Sequence, residues 1–201
     1  MLNYAQAIHK DSGKLVQVAN DIYATPFWTE QFCNEFVGYL ENNYDLFSVN
    51  TKDMYKISEI NMADLSRIMT IQMLKHHYKS CILEVAKYFL EETFDGYLNP
   101  SILRYSTKAN DTTKLAMHND VSGISSALKL NNEYAGGETV FPRQQYSAVD
   151  LPVGYALIWP GQITHPHKVN PITEGTKYSI TIWTYPPTWN APTGINRNEI
   201  V

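Results

Sequence analysis

The sequence predicts a mostly β protein whose helices lie in its N-terminal half, an α+β arrangement in one domain. After about residue 98, short runs rich in β-branched and aromatic residues alternate with turn residues, which is typical of a β-sandwich or barrel. Before that point, apolar residues recur at steps of three and four, the period of a helix. The 201 residues suffice for one domain with a sizeable core, so we expect a single domain over residues 1–201.

Two helical patterns occupy the N-terminal half. Thr29 is the expected N-cap of a first helix, whose apolar residues are Phe32, Phe36, Val37 and Leu40. Residues 42–60 are polar and irregular, and we expect a loop there with one short strand. A second apolar stripe over about residues 62–93 predicts the core face of a long helical region. Together these patterns predict a helical support over about residues 26–95.

Five runs in the C-terminal half have the character of strands. They cover residues 101–106, 124–130, 138–141, 155–159 and 178–184. Gly136 and Gly137 predict a tight turn or bulge between two of them. The resulting β core spans about residues 98–185, and the tail after Tyr185, which is rich in Pro and Asn, is expected to wrap the surface.

Composition and charge narrow the class of protein. The net charge is −4, and the clustered Lys and Arg of a nucleic-acid-binding surface are missing from the sequence. No apolar run reaches the roughly 20 residues that cross a bilayer, and the first residues lack the apolar middle of a secretory signal. We therefore expect a soluble cytoplasmic protein that does not act on a membrane, and the acidic balance argues against a nucleic-acid substrate.

Some residues with metal-binding chemistry have a simpler explanation. Cys33 and Cys81 lie among apolar residues on predicted helices and form no CxxC pair, so we expect buried free thiols. His76 and His77 are neighbours on a predicted helix and point about 100° apart, which prevents joint binding of one ion. Solvated or partly packed histidines are the expectation for this pair.

The residues that predict chemistry begin with the triplet His118-Asn119-Asp120. In a strand, residues two apart point to the same face, so His118 and Asp120 can present a nitrogen and a carboxylate oxygen to one point. An H-x-D triplet alone more often lies on a surface turn, and a third ligand must come from elsewhere. His165 and His167 both suit that role. Two histidines and one carboxylate leave three positions of an octahedron open, the arrangement associated with non-haem iron(II) oxygenases.

Lys177 strengthens this interpretation. It follows His167 by ten residues, and Pro171 and Gly175 bracket a turn between them, so we expect the two side chains on neighbouring strands and pointing inward. A buried ammonium is unfavourable unless it meets an anion, and a dicarboxylate that binds the metal at its other end supplies one. The alternative is a surface lysine on an edge strand, which its apolar and aromatic surroundings disfavour.

Taken together, the motifs resemble the 2-oxoglutarate/iron(II) dioxygenases of the prolyl 4-hydroxylase and lysyl hydroxylase type. The resemblance covers about residues 98–183 and rests on ordered segments, which are 103–105, 118–120, 130–141, 154–160 and 167–179. It implies a double-stranded β-helix, a jelly-roll or cupin-like pair of sheets with the site inside, flanked by N-terminal helices.

The resemblance also implies roles for individual residues. The residues that match the family's metal ligands are His118, Asp120 and His167. The ten-residue interval to Lys177 favours His167 over His165. Lys177 matches the basic residue that binds the distal carboxylate of 2-oxoglutarate, and Tyr105 matches the tyrosine that helps to hold this co-substrate.

The activity that the resemblance implies is hydroxylation with Fe(II), 2-oxoglutarate and O2, with ascorbate as the reductant. Lys rather than Arg at position 177 is typical of the prolyl 4-hydroxylase branch and favours a prolyl or proline-like target. The alternatives are a free amino acid or other small metabolite, a nucleic acid, and a non-catalytic binding module on the same fold. The loops expected to select the substrate, residues 42–60 and 106–116, do not identify it.

Overall fold

The described part of the chain is built mainly from short strands. The computed structural model describes residues 4–49, 55–65, 74, 76–82, 85, 97–108 and 111–185. The strands are β1 (Val16–Ala19), β2 (Ile22–Pro26), β3 (Ser48–Val49), β4 (Ser58–Asn61), β5 (Tyr97–Ser106), β6 (Leu115–His118), β7 (Ile124–Lys129), β8 (Tyr134–Gly136), β9 (Thr139–Phe141), β10 (Tyr146–Ser147), β11 (Tyr155–Pro160), β12 (His167–Val169) and β13 (Ile172–Tyr185). Helix α1 spans Glu30–Asn42, and 3-10 turns cover Tyr4–Gln6, Tyr44–Leu46, Met62–Leu65 and Gln162–Thr164.

Two antiparallel sheets line one cavity. Within the described ranges, the larger sheet has the order β1-β2-β11-β7-β13-β5-β4-β3, and β8 pairs with β13. The smaller sheet has the order β10-β9-β12-β6. Side chains from both sheets line the space between them. The mostly β fold class and the double-stranded β-helix are therefore confirmed.

Helix α1 covers the outer face of the larger sheet. Thr29 is its N-cap, with Oγ1 accepting a hydrogen bond from the backbone N–H of Phe32 at 3.3 Å. The buried residues of the helix, Phe32, Cys33, Phe36 and Leu40, follow its 3.6-residue period. They belong to one apolar cluster with strand residues such as Ile180 and Ile182. The predicted first helix and its cap are confirmed.

The second predicted helical region is described only in part. Residues 74, 76–82 and 85 are helical, and Leu74, Tyr78 and Ile82 are buried in the same apolar cluster. Residues 62–65 form a 3-10 turn rather than the start of the α-helix. Residues 66–73 and 86–93 of the predicted stripe, and the tail from residue 186, lie outside the described residues.

Four strands lie outside the predicted β core and extend the larger sheet. β1 and β2 occupy a segment for which the sequence predicted no element, and β2 pairs with β11. β3 and β4 replace the loop with one short strand expected at residues 42–60, and β4 pairs with β5. These strands are two to five residues long, too short for a clear period-two pattern.

Alternation along β13 separates the core from the cavity. Ile180 and Ile182 pack toward the helices, whereas Lys177, Ser179 and Thr181 line the cavity. Cys33 and Cys81 are buried free thiols, as expected. Among the helices of the described residues, none has the length and apolar character needed to cross a membrane.

Candidate metal site and cavity

The space between the two sheets is a cavity of about 680 Å³. This volume is in the range of small-molecule sites. Its walls carry titratable side chains from both sheets, which are Glu59, His118, Asp120, Lys129, Glu138, His167 and Lys177. Acidic, basic and histidine side chains of the molecule therefore come together in this cavity.

His118, Asp120 and His167 converge at one end of the cavity. Their nearest ligand atoms all lie within 4.8 Å of one another. Nε2 of His118 is 3.4 Å from Oδ1 of Asp120, and Nε2 of His167 is 3.6 Å from Oδ2 of the same carboxylate. Asp120 and His167 are buried, and His118 is half-buried. Two imidazole nitrogens and a carboxylate therefore face one point, which is a donor set that suits a divalent transition metal.

Backbone carbonyls fix the orientation of both imidazoles. Nδ1 of His118 donates to the carbonyl of Ala116 at 2.8 Å, and Nδ1 of His167 donates to the carbonyl of His165 at 3.0 Å. Because a carbonyl can only accept, these bonds place the proton on Nδ1 and leave the Nε2 lone pairs toward the carboxylate. Metal-binding histidines are commonly oriented in this way.

The surroundings of the Asp120 carboxylate favour its ionised form and the binding of a cation. Within the described residues, its Oδ2 is buried and has no hydrogen-bond donor. Burial acts to raise the pKa of Asp120, but its interactions with His118 and His167 in their protonated forms outweigh burial, and the pKa is lowered. Burial lowers the pKa of His167 and favours its neutral form, which is the form that binds a metal. The residues present therefore fit a bound metal ion.

The local backbone differs from the uninterrupted strand that the sequence predicted. β6 ends at His118, so Asp120 lies just beyond the strand rather than on it. A register shift pairs His167 with His118 but Val169 with Leu115, a bulge in β6 that turns both Leu115 and His118 toward the cavity. The segment after β6 is held by a hydrogen bond from the Gln162 backbone N–H to the carbonyl of Asp120 at 2.5 Å.

Gly161 permits this close approach of two segments. A Cβ at Gly161 would lie 1.9 Å from the carbonyl oxygen of Ser122, which excludes any side chain there. The hydroxyl of Ser122 in turn hydrogen-bonds that of Ser125 at 2.5 Å. Backbone contacts of the segment 120–122 with Gly161 and Gln162 thus hold Asp120 near the two histidines. The position of Asp120 does not depend on strand alternation.

His165 lies outside this cluster. Its Nε2 donates to the carbonyl of Asn20 at 3.2 Å, and its Nδ1 accepts from the hydroxyl of Thr164 at 2.9 Å. β12 begins at His167, so His165 does not share its strand face. Of the two histidines that the sequence left as candidates for the third ligand, the structure brings only His167 to the carboxylate.

Lys177 and Tyr105 form a second polar position in the cavity. They are direct partners on β13 and β5, and Nζ of Lys177 lies 5.5 Å from the centroid of the Tyr105 ring. Lys177 is buried and donates to the carbonyl of Gly137 at 2.7 Å. Burial and, to a smaller extent, the charge of Lys129 lower the pKa of Lys177 to about 8, against the opposing charge of Glu138.

The expected relation between His167 and Lys177 is wrong in one respect. They do not lie on neighbouring strands, because β12 belongs to the smaller sheet and β13 to the larger one. The turn at Asn170 and Pro171 carries the chain from one sheet to the other. Both side chains still line the cavity, but from opposite walls.

Gly136 and Gly137 form the tight turn that the sequence predicted. Both have positive φ, of 75° and 73°. A Cβ at Gly136 would lie 2.1 Å from the carbonyl oxygen of Pro171. The turn brings the carbonyl of Gly137 to Lys177. The two glycines thus shape the part of the cavity wall that contacts Lys177.

Aromatic rings shield the metal site. Phe141 stacks on the ring of His167 with centroids 5.2 Å apart, and Trp159 meets the same ring edge-on at 5.1 Å. Tyr55 lies 5.3 Å from the ring of His118. The sequence analysis assigned no role to Phe141, Tyr55 or Lys129. Alternation along β7 and β9 was the signal that could have placed Lys129 and Phe141 on the inner faces.

Known proteins resemble the chain in both sequence and fold. Residues 100–185 match the model of the 2OG-Fe(II) oxygenase superfamily. Procollagen-lysine,2-oxoglutarate 5-dioxygenase 1 of Mus musculus is 28% identical over 188 residues, which cover 88% of this chain and 25% of that protein. The chain therefore spans about a quarter of the length of this relative.

Two solved structures share the fold. A prolyl hydroxylase of Trichoplax adhaerens, in complex with a hypoxia inducible factor peptide fragment, has a TM-score of 0.64 and 16% identity, and covers 83% of this chain and 84% of its own. The viral collagen prolyl hydroxylase of Paramecium Bursaria Chlorella virus-1, in its 2OG complex, has a TM-score of 0.58 and 13% identity, and covers 84% of this chain and 98% of its own. At these low sequence identities, the two structures show a similarity of fold alone.

Proposed function

We propose that residues 1–201, of which residues 100–185 match the model of the 2OG-Fe(II) oxygenase superfamily, form one oxygenase domain that acts as a hydroxylase dependent on Fe(II), 2-oxoglutarate and O2. The observation that carries the proposal is the convergence of His118, Asp120 and His167 with both imidazoles oriented by backbone carbonyls. A buried carboxylate oxygen without a donor among the described residues completes the donor set. These three residues hold the iron in the proposed enzyme.

The bound iron and 2-oxoglutarate supply the oxidation of a C–H bond by dioxygen, and the protein contributes position and environment. Lys177 binds the distal carboxylate, because it is a buried cation that lines the same cavity as the three proposed metal ligands. Tyr105 forms the wall beside that carboxylate. Phe141 and Trp159 keep water from the ring of His167.

The substrate we propose is a prolyl residue or a proline-like group in a peptide or protein. Lys rather than Arg at position 177 supports this choice, and both solved structures described above are named as prolyl hydroxylases. The named sequence relative acts on procollagen lysine, so a lysyl residue is the second candidate. A free amino acid is the alternative from outside the peptide class. Ascorbate is the proposed reductant.

A succinate-release assay tests the proposal. Purified protein receives Fe(II), ascorbate and 2-oxoglutarate with panels of proline-rich peptides, lysine-containing peptides, free amino acids and oligonucleotides. We expect succinate above background with the proline-rich panel, and a mass increase of one oxygen in the peptide. The Asp120→Ala protein is the matched control and should release none. Wild-type protein that forms no succinate with any panel contradicts the proposed activity.

A further inference from the structure

A second lysine, Lys129, lines the cavity beside Lys177. It lies on β7, directly opposite Ser179 of β13, and Lys177 is two residues farther along the same face of β13. Such diagonal neighbours on adjacent strands have Cβ atoms roughly 7–8 Å apart, a separation that two lysine side chains can span. Two ammonium groups can therefore reach the same part of the cavity.

Neither ammonium has a carboxylate partner within 4 Å among the described residues. Nζ of Lys129 donates to the carbonyl of Leu151 at 2.8 Å, and Nζ of Lys177 donates to that of Gly137 at 2.7 Å. An ammonium has three donors, so each group has donors left for a ligand. Glu138, the acidic side chain near Lys177, accepts a hydrogen bond from Nδ2 of Asn170 at 3.2 Å.

Two cations in one desolvated space repel each other unless an anion joins them. Burial lowers the pKa of Lys129, and the charge of Lys129 contributes to the lowered pKa of Lys177. Asp150, whose charge opposes the shift at Lys129, is exposed and faces solvent. A carboxylate between the two ammonium groups would remove the repulsion and use the remaining donors of both.

We propose that Lys129 and Lys177 form a two-cation subsite for the distal carboxylate of 2-oxoglutarate, and that Lys129 makes the site selective for a dicarboxylic 2-oxo acid. This inference rests on the proposed function. The flexible four-carbon stem of Lys129 lets its ammonium move from the carbonyl of Leu151 to the ligand. Ligands without the distal carboxylate gain nothing from Lys129.

The competing explanation is purely structural, because Lys129 ties β7 to the loop before β11 through Leu151. Lys129→Gln separates the two explanations. Its amide can still donate to the carbonyl of Leu151, but the positive charge is lost. Lys129→Arg keeps the charge. Lys14→Gln is the control for charge alone, since Lys14 is 74% exposed and pairs with Asp11.

Calorimetric titration of Mn(II)-loaded protein without oxygen tests the inference. The two ligands are 2-oxoglutarate and 2-oxobutanoate, which shares the 2-oxo acid end but lacks the distal carboxylate. We expect Lys129→Gln to weaken 2-oxoglutarate binding roughly tenfold or more, as the loss of a charge-assisted hydrogen bond does. Its affinity for 2-oxobutanoate should be unchanged, Lys129→Arg should retain most of the 2-oxoglutarate affinity, and Lys14→Gln should match wild type.

Other outcomes decide against the inference in distinguishable ways. Unchanged 2-oxoglutarate affinity in Lys129→Gln, or equal weakening of both ligands, overturns the two-cation subsite and leaves the proposed function intact. Failure of the wild-type protein to bind 2-oxoglutarate overturns the proposed function itself. If Lys129→Gln does not fold, the Arg variant decides: loss of dicarboxylate selectivity in a folded protein that keeps the charge contradicts the inference.

Discussion

Two histidines in this molecule, His167 and His77, are buried to nearly the same extent but differ in what their ring nitrogens contact. His167 in the cavity is 5% exposed, and His77 in the helical layer is 6% exposed. Nδ1 of His77 hydrogen-bonds the hydroxyl of Tyr4 at 3.1 Å, and its Nε2 hydrogen-bonds that of Ser12 at 2.6 Å. The His77 ring also stacks on Phe27 with centroids 4.1 Å apart. Every polar atom of this ring has a partner.

In the cavity cluster, one nitrogen of each ring faces a shared carboxylate instead of a hydroxyl. Its Nδ1 atoms are bonded to carbonyls, and its Nε2 atoms face a carboxylate whose own oxygen lacks a donor in the described part of the chain. The comparison teaches that burial does not distinguish a packed histidine from a ligand. The convergence of ring nitrogens from two histidines on one buried carboxylate does.

Removal of the shared carboxylate should have the largest effect. Asp120→Ala takes away the anion that both Nε2 atoms face, so we expect loss of metal and of all activity. Asn119→Ala, at the neighbouring exposed position, should keep most of both. Metal content after dialysis and succinate release measure the two variants. Equal sensitivity at Asn119 and Asp120 would show that the donor set is assigned to the wrong side chain.

His165 and His167 lie two residues apart, so the same substitution at each position gives a matched pair of variants. His167→Gln removes a ligand and should weaken metal affinity by more than about a hundredfold, the upper range for loss of a supporting partner alone. His165→Gln should leave the affinity near wild type, because its ring bonds Asn20 and Thr164 and only its backbone carbonyl supports His167. Metal titration of both proteins is the measurement. Greater loss in the His165 variant would reverse the assignment.

A variant at Lys177 tests whether 2-oxoglutarate binding can be weakened without weakening iron binding. Loss of one partner of a desolvated charge pair costs about 3–5 kcal/mol, so Lys177→Ala should raise the KM for 2-oxoglutarate by a factor on the order of hundreds. Iron binding should stay nearly intact, and Lys177→Arg should recover part of the affinity. Steady-state kinetics with varied 2-oxoglutarate measures this. An unchanged KM in Lys177→Ala contradicts the pairing.

His77 should affect stability without affecting the site. Burial, followed by the charge of His76, lowers the pKa of His77 to about 4, below its ordinary value of 6.5. The unfolded chain therefore takes up the proton first, and stability falls as the pH drops from 6.5 toward 4. His77→Gln should lower stability by about 1–2 kcal/mol at pH 7 and reduce this acid slope. Thermal unfolding across pH measures both, while metal affinity should equal wild type.

Much of the fold and of the site's chemistry could be predicted because long elements carry periodic patterns. Helix α1 and the longer strands β5, β7, β11 and β13 were found from their apolar spacing. Strands of two to four residues, such as β3, β8 and β10, give too few positions for a period to show. β6, too, escaped direct prediction, and it ends at His118, so the strand alternation that was assumed for His118 and Asp120 does not apply.

The residue types of the proposed metal ligands could be predicted from the sequence, but the contacts around them depend on the path of the chain between the two sheets. His167 was separated from His165 by its interval to Lys177, and the structure gives the physical reason in the bonds that His165 makes to Asn20 and Thr164. The transfer of the chain from the smaller to the larger sheet after Val169 could not be anticipated from spacing. The same holds for Lys129, which meets Lys177 only through the pairing of β7 with β13.

The most direct test of the account is a crystal structure of the protein with Mn(II) and 2-oxoglutarate, prepared without oxygen. We predict one metal ion with distances of roughly 2.0–2.3 Å to Nε2 of His118, a carboxylate oxygen of Asp120 and Nε2 of His167. The distal carboxylate of 2-oxoglutarate should contact Nζ of Lys177. A metal bound elsewhere, or a 2-oxoglutarate whose distal carboxylate avoids Lys177, would contradict the account.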